Sequence, residues 1–255
     1  MALNTKIIGA SPKPLICAPL VGNTKEMIPA ELAKVLVKKP DVVEWRADFF
    51  ENIADTAEVI DVARGIKKQA GDISVIFTIR SVREGGKAIA LPDQEAVRLN
   101  ADVCKLTDIE YVDCELSNRP ADIRYIKEVA AENGTRVIGS FHDFRFTPAE
   151  DVLMQKFREA EAYRLDVAKV AVMPRKLEDV LTLLGVSLRA KDQIKIPLIV
   201  VSMGHYGAVS RIIGGVFGSA LTFAVGDKSS APGQVPIEDM QVVLDIIERA
   251  QGGLL

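Results

Sequence analysis

The chain has 255 residues, 48% of them hydrophobic, enough to bury one large α/β core or two small ones. Its 32 basic and 35 acidic residues are well mixed and leave a net charge of -3, which argues against nucleic acid as a partner. No apolar run reaches the roughly 18 residues of a membrane span, so no membrane partner is expected.

The start, MALNTKIIGASPKPLICAPL, carries Lys6 and Lys13 but no long apolar core and no cleavage site. No signal peptide is read, and a cytoplasmic location is expected. Residues 1–13 precede the first apolar run and are expected to form a short hairpin. PLICAPL (14–20) is the first predicted strand, and TKEMIPAELAKVLVKK (24–39) the first helix. DVVEWRAD (41–48) and TAEVIDVARGIKKQA (56–70) repeat the pair, then SVIFTIR (74–80) and QEAVRLNADVCKL (94–106). EYVDCEL (110–116) precedes ADIRYIKEVAAENG (121–134), whose Asn-Gly is a helix stop. RVIGSFH (136–142) precedes PAEDVLMQKFREAEAY (148–163), for which Thr147 is the predicted N-cap, Pro148 the N1 residue and Glu150 the partner in a capping box. DVAKVAV (166–172), PLIVVSM (197–203) and SALTFAV (219–225) complete eight strands. All are nearly continuously apolar, as strands buried on both faces are.

Eight strands alternating with helices predict a single-domain (β/α)8 barrel spanning 1–255. The alternative is a doubly wound sheet, but no GxGxxG follows the first strand. Cys17, Cys104 and Cys114 are odd in number and form no CxxC, so reduced structural thiols are expected. Histidine occurs only at His142 and His205, too few for a metal site, and neither metal nor cofactor is expected.

In a barrel, chemistry gathers at the C-terminal ends of the strands. The polar residues there are Glu44, Arg46, Asp48, Arg80, Glu84, Glu115, His142, Asp143, Lys169, Ser202 and Arg211. Lys169 stands out because valine and alanine flank it on both sides. Burial penalises an ammonium, and a neutral amine is a nucleophile toward carbonyls that forms Schiff bases. The bland alternative is a lysine whose head reaches water at the strand end. His142 closes the preceding strand and is suited to proton transfer near neutral pH. Arg46, Arg80 and Arg211 are either surface ion pairs or a clamp for an anionic, hydroxylated substrate, with Arg211 the best carboxylate ligand. GDKSSAPGQ (226–234) has the composition of a mobile lid. GGVFG (214–218) lacks the Lys-Ser/Thr of a phosphate loop, so close packing is its expected role.

The motifs EWRAD, IRSVREGG, FHDF, KVAVMP, SRIIGGVFGSALTF and SAPGQ occur in that order between about Pro14 and Leu244. Together they resemble the type I 3-dehydroquinate dehydratases. The resemblance implies a (β/α)8 barrel that turns 3-dehydroquinate into 3-dehydroshikimate and water without metal or nucleotide. It implies a Schiff base at Lys169, acid/base work by His142, and Glu84 orienting the histidine. It assigns Glu44, Arg46 and Arg80 to substrate hydroxyls and site organisation, Arg211 to the substrate carboxylate, and Ser230 and Gln234 to the lid. The small-molecule substrate is the expected partner, and a homodimer the expected assembly. Three positions depart from the pattern. His205 and Tyr206 replace a lysine and a glutamate, and Ala18 stands where some relatives have serine. Two other readings stay open. A class I aldolase would show a phosphate site after strands seven and eight, and a non-catalytic barrel would bind a polyol acid.

Overall fold

The computed structural model describes residues 5–252. Strand and helix alternate along the chain: β1 (Leu15–Leu20), α1 (Met27–Val37), β2 (Val42–Arg46), α2 (Thr56–Ala70), β3 (Ser74–Thr78), α3 (Asp93–Leu106), β4 (Tyr111–Glu115) and α4 (Pro120–Glu132). The second half repeats it with β5 (Arg136–Asp143), α5 (Glu150–Ala162), β6 (Val167–Val172), α6 (Leu177–Gln193), β7 (Leu198–Ser202), α7 (Gly204–Ile213), β8 (Leu221–Val225), β9 (Val235–Pro236) and α8 (Ile237–Ala250). The strands are parallel in the order β7-β6-β5-β4-β3-β2-β1-β8-β9. The sheet closes between β7 and the start of β8, where Leu198 bridges Ser219 and the Ala220 amide donates to the Leu198 carbonyl at 2.7 Å. This is the expected (β/α)8 barrel.

Strand alternation divides each strand between two cores. Odd positions of β4 and β6 and even positions of β2 and β5 point inward. Val43, Trp45, Val75, Phe77, Val112, Val137, Val170 and Val200 face the helices and build the larger core with their apolar stripes. Trp45 is fully buried there, edge-on to Phe50 and Phe77 at 5.9 and 5.4 Å. Each such side chain contributes about 1.5–3 kcal/mol by leaving water. Leu15, Cys17, Val42, Ile76, Tyr111, Ile138, Val167 and Ile199 fill the lower barrel. Polar residues replace them at the next inward positions, so the sheet that supplies the core also carries the site.

The structure alters three expectations. The hairpin expected at 1–13 lies partly outside the described residues, and residues 5–13 form turns without a strand. Ile8 instead plugs the barrel floor, where its amide donates to the Tyr111 hydroxyl at 3.0 Å. The capping box at Thr147 is absent. The chain stays extended through Ala149, which is the N-cap, Pro148 is buried, and Glu150 pairs with Arg189 on α6 at 2.6 Å. A ninth strand of two residues follows the 226–234 loop and joins β8 at Ala224 and Val225. In GGVFG, a Cβ on Gly215 would stand 2.6 Å from the Pro14 ring, so close packing accounts for that glycine.

Candidate active site

The inward positions above the apolar floor bring Glu44, Arg46, Arg80, Glu84, His142, Lys169, Arg211, Ser230 and Gln234 around one cavity at the strand tops. It encloses roughly 470 Å³ of empty space, mouth included. All nine predicted site residues line it. They come from β2, the turn after β3, β5, β6, α7 and the 226–234 loop, so the fold assembles them from across 190 residues of chain (Glu44 to Gln234).

Lys169 is 5% exposed, but its head group is not in apolar surroundings. Nζ lies 3.3 Å from Glu44 Oε1 and 3.5 Å from Asp113 Oδ2, and 4.5 Å from the centre of the Phe223 ring. The desolvated amine expected from the apolar strand is therefore a buried ion pair. Its partners stand on β2 and β4, across the barrel. In the register of β5 and β6, Ser140 sits beside Lys169 and His142 beside Ala171. His142 is thus one strand over and two residues higher on the same face, roughly 8 Å between Cα atoms. A small ring can lie between amine and imidazole.

Glu84 sets the state of His142. Its Oε2 accepts from the His142 amide at 3.0 Å and lies 2.9 Å from Nδ1, while Oε1 accepts from Ser117 Oγ at 2.7 Å. With both carboxylate oxygens acting as acceptors, Nδ1 carries the hydrogen and Nε2 presents a lone pair to the cavity. Burial pushes Glu84 up to about 7, opposed in part by Arg80. Burial, with the positive charges of Arg80, Lys169 and Arg46, pushes His142 well below its ordinary value, so the resting ring is neutral. The turn carrying Glu84 closes tightly: Gly85 has φ +84°, and a Cβ on Gly86 would lie 1.8 Å from the Arg80 carbonyl.

The three arginines differ. Arg46 is held bidentately by Asp48 at 2.8 Å through both Nε and Nη2. Asp48 also accepts from the amides of Arg80 and Lys87, at 3.3 and 3.1 Å, tying β2 to the turn that carries Glu84. Arg80, 3% exposed, meets Asp113 at 2.8 Å, Glu115 at 3.0 Å and Glu84 at 3.6 Å. Burial opposes its charge, but the three carboxylates outweigh burial and raise its pKa. The same field works on Asp113, where Arg80 and Lys169 overcome burial and hold the carboxyl below its usual range. Arg211 has no carboxylate partner among the described residues. It is 3% exposed, its Nη2 donates to the Pro232 carbonyl at 3.1 Å, and Nε has no partner among the described residues. Burial alone lowers it to about 10. Arg211 is thus a buried cation facing the cavity with unused donors, which is what a carboxylate ligand requires.

The 226–234 loop lies over the mouth. The Gly204 amide reaches the Pro232 carbonyl at 3.3 Å, and Gln234 Oε1 accepts from Ser229 Oγ and the Ser230 amide at 2.9 and 3.1 Å. Asp113, Ser117, Ser140 and Thr78 also enter the network and were not singled out from sequence. Asp113 was within reach, because it lies two residues before Glu115 and so shares its face. His205 and Tyr206 stack on each other at 4.1 Å on the exposed start of α7, outside the cavity lining. Ala18 faces the helical layer, so the site does not depend on it. The three cysteines are buried, and burial pushes each thiol up, to about 11 for Cys104 and about 12 for Cys114. Among the described residues there is no cluster of three or more His, Cys, Asp or Glu placed to hold a metal ion, and no helix long and apolar enough to cross a membrane.

A (β/α)8 barrel with its ionisable groups converging at the strand tops is the architecture of a barrel enzyme. The sequence profile of the type I 3-dehydroquinase family matches residues 16–251, and the chain belongs to that family. It is 52% identical over 239 residues to the 3-dehydroquinate dehydratase of Albidiferax ferrireducens, covering 94% of this chain and 90% of that protein. Among solved structures, the 3-dehydroquinate dehydratase of Geobacillus kaustophilus superposes with a TM-score of 0.91 at 44% identity, over 92% of this chain and 91% of that one. The type I enzyme of Clostridium difficile, solved with covalently modified comenic acid, gives a TM-score of 0.92 at 32% identity over 98% of both chains.

Proposed function

We propose that the chain dehydrates 3-dehydroquinate to 3-dehydroshikimate through a Schiff base on Lys169. The observation that carries this reading is the grouping of a buried lysine, a neutral histidine with a bare Nε2, and an arginine with unused donors. Arg211 takes the substrate carboxylate, and Glu44 and Arg46 take its hydroxyls. Arg80 organises the carboxylates around them. Ser230 and Gln234 close over the ring.

The substrate is a β-hydroxy ketone. The Lys169 ammonium gives a proton to His142 Nε2, its freed amine adds to the carbonyl carbon, and the carbinolamine hydroxyl takes that proton back and leaves as water, giving an iminium. The positive nitrogen acidifies the adjacent C–H. His142 Nε2 takes that proton, and the electron pair forms an enamine. The enamine expels the β-hydroxyl, which leaves as water with the proton from His142. Water then adds to the conjugated iminium, and the carbinolamine collapses to the enone and free Lys169. Acid/base help of this kind contributes roughly 10²–10⁴ in rate.

A class I aldolase would need a phosphate site after β7 and β8; here that region offers a buried arginine and the Ser230–Gln234 turn. The proposal includes one catalytic domain over 1–255, a cytoplasmic location suited to reduced thiols, and a homodimer. Leu177, Leu181 and Leu188 lie exposed along one side of α6 and suit such an interface. The test is turnover of 3-dehydroquinate, followed by the absorbance of the conjugated enone, in wild type and His142→Ala. Wild type turns over, and the variant is slow and accumulates an adduct visible by intact mass. Near-normal turnover per folded variant molecule would remove His142 from the mechanism.

A further inference from the structure

A second cavity lies beside the site, between the tops of β3 and β4 and helix α3, and no lining residue is common to the two. β3 and β4 pair at only two positions, Ile76 with Tyr111 and Phe77 with Val112, whereas β2–β3 and β4–β5 each pair at five. Above Phe77 and Val112 the strands are joined by side chains instead. Arg80 reaches Asp113 and Glu115, and the Ser81 amide donates to Glu115 Oε1 at 2.8 Å. Beside the split, under α3, lies a cleft that encloses roughly 840 Å³ of empty space, mouth included. Its outer end is marked by the exposed Arg83, Lys87 and Asp93, and its inner end by the buried Asp113 and Glu115.

Two polar groups in this cleft have no protein partner among the described residues. Asn100 on α3 is 5% exposed, and its Oδ1 accepts no hydrogen bond; Ser81 Oγ is likewise without one. Buried polar atoms are almost always satisfied, by protein or by water. A water takes up roughly 30 Å³ in the liquid, so the cleft has room for several. Its remaining walls include Ile79, Ile89 and Val97, which offer nothing to a charged solute. The inner wall matters most, because Asp113 Oδ2 lies 3.5 Å from Lys169 Nζ.

We propose that this cleft is a water site and the port through which the reaction exchanges water while the 226–234 loop covers the mouth. The inference rests on the Schiff-base reading. Imine formation releases one water, elimination releases a second, and hydrolysis consumes one, so one water must leave per turnover. Ser230, Ala231 and Gln234 line the mouth, and the Pro232 carbonyl is bonded to Arg211, so that route is obstructed. Waters on Asn100 and Ser81 reach Asp113 and Glu115, and exchange passes beside the Arg80 guanidinium.

The test uses Asn100→Leu, which fills the inner cleft with apolar bulk, and Asn100→Ser, which keeps a polar group. Ala96→Leu, one turn earlier on the same helix face, is a second plug. A high-resolution crystal structure of the wild type should show ordered waters on Asn100 Oδ1 and Ser81 Oγ. The leucine variants should lose about tenfold in kcat with KM unchanged, and accumulate the iminium adduct by intact mass. Asn100→Ser should keep wild-type turnover. A dry cleft in the wild type overturns the proposal, as do folded leucine variants with wild-type kcat. If Asn100→Leu does not fold, Ala96→Leu and the crystal waters decide. Wild-type protein inactive on 3-dehydroquinate would instead sink the Schiff-base reading, leaving the waters to decide the site alone.

Discussion

Glu84→Gln removes one charge from the site and keeps its shape. A glutamine with its oxygen toward His142 preserves both hydrogen bonds that Glu84 Oε2 accepts, and its NH₂ can donate to Ser117 Oγ. What is lost is the charge that steadies the imidazolium. A charge-assisted hydrogen bond exceeds a neutral one by about 1–2 kcal/mol, or about 5- to 30-fold in kcat/KM. Stability should move the other way. Burial pushes the Glu84 carboxyl from 4.5 to about 7. Ionising it in the folded chain therefore costs about 3 kcal/mol. Because the folded value is raised, the native state binds more protons between pH 4.5 and about 7. Wild-type stability falls as pH rises through that window, and the full deficit is present above it. The amide has no such deficit. His142, lowered by burial and its cationic neighbours, opposes this trend by gaining stability as pH rises toward 6.5. At pH 8 the ring is neutral in the folded and unfolded chains of both proteins, so the comparison there isolates Glu84. Melting curves should show Glu84→Gln as stable as wild type near pH 4.5 and more stable at pH 8. The wild-type kcat/KM profile should have an acid limb near 7, belonging to the Glu84–His142 pair, which the variant lacks. Wild-type kcat/KM in the variant at pH 8 would refute the reasoning. So would a loss of more than about 2 kcal/mol of stability with turnover per folded molecule intact.

Arg211→Met should lower kcat/KM by about 10²-fold, mainly through KM, by removing a charge-assisted carboxylate contact. It should melt no lower than wild type, since Arg211 is a buried cation without a carboxylate partner among the described residues; an unchanged KM would reassign the carboxylate site. Ser117→Ala removes a hydrogen bond that holds Glu84 down, so the acid limb should move to higher pH, and Ser117→Thr should restore it; an unmoved limb would show that Ser117 does not act through Glu84. Gln234→Ala should raise KM with little change in melting temperature, because its bonds lie within the 226–234 loop. Solution relaxation should find that loop mobile without substrate and ordered with it, and equal order in both states would count against a lid.

The barrel was legible because strands buried on both faces leave runs of Val, Ile and Phe at regular spacing, and alternation places Glu44, Arg46, His142 and Lys169 inward. Cross-barrel contacts were not. The neighbours of Lys169 in sequence are valine and alanine, while Glu44 and Asp113, which meet its ammonium, lie 125 and 56 positions away and approach only when the sheet closes. Arginine roles were hidden for the same reason: nothing local to Arg80 or Arg211 shows that one is enclosed by carboxylates and the other left free. At Thr147 the local capping signal was real, but burial of Pro148 and the pull of Arg189 on Glu150 moved the helix start by two residues. β9 escaped notice because two residues ending in proline carry no periodicity.

Borohydride trapping tests the central claim most directly. Wild-type protein incubated with 3-dehydroquinate and borohydride should gain the mass of a reduced adduct on the peptide containing Lys169, and Lys169→Ala should gain none. An adduct on a different lysine, or turnover by folded Lys169→Ala, would contradict a Schiff base at this position.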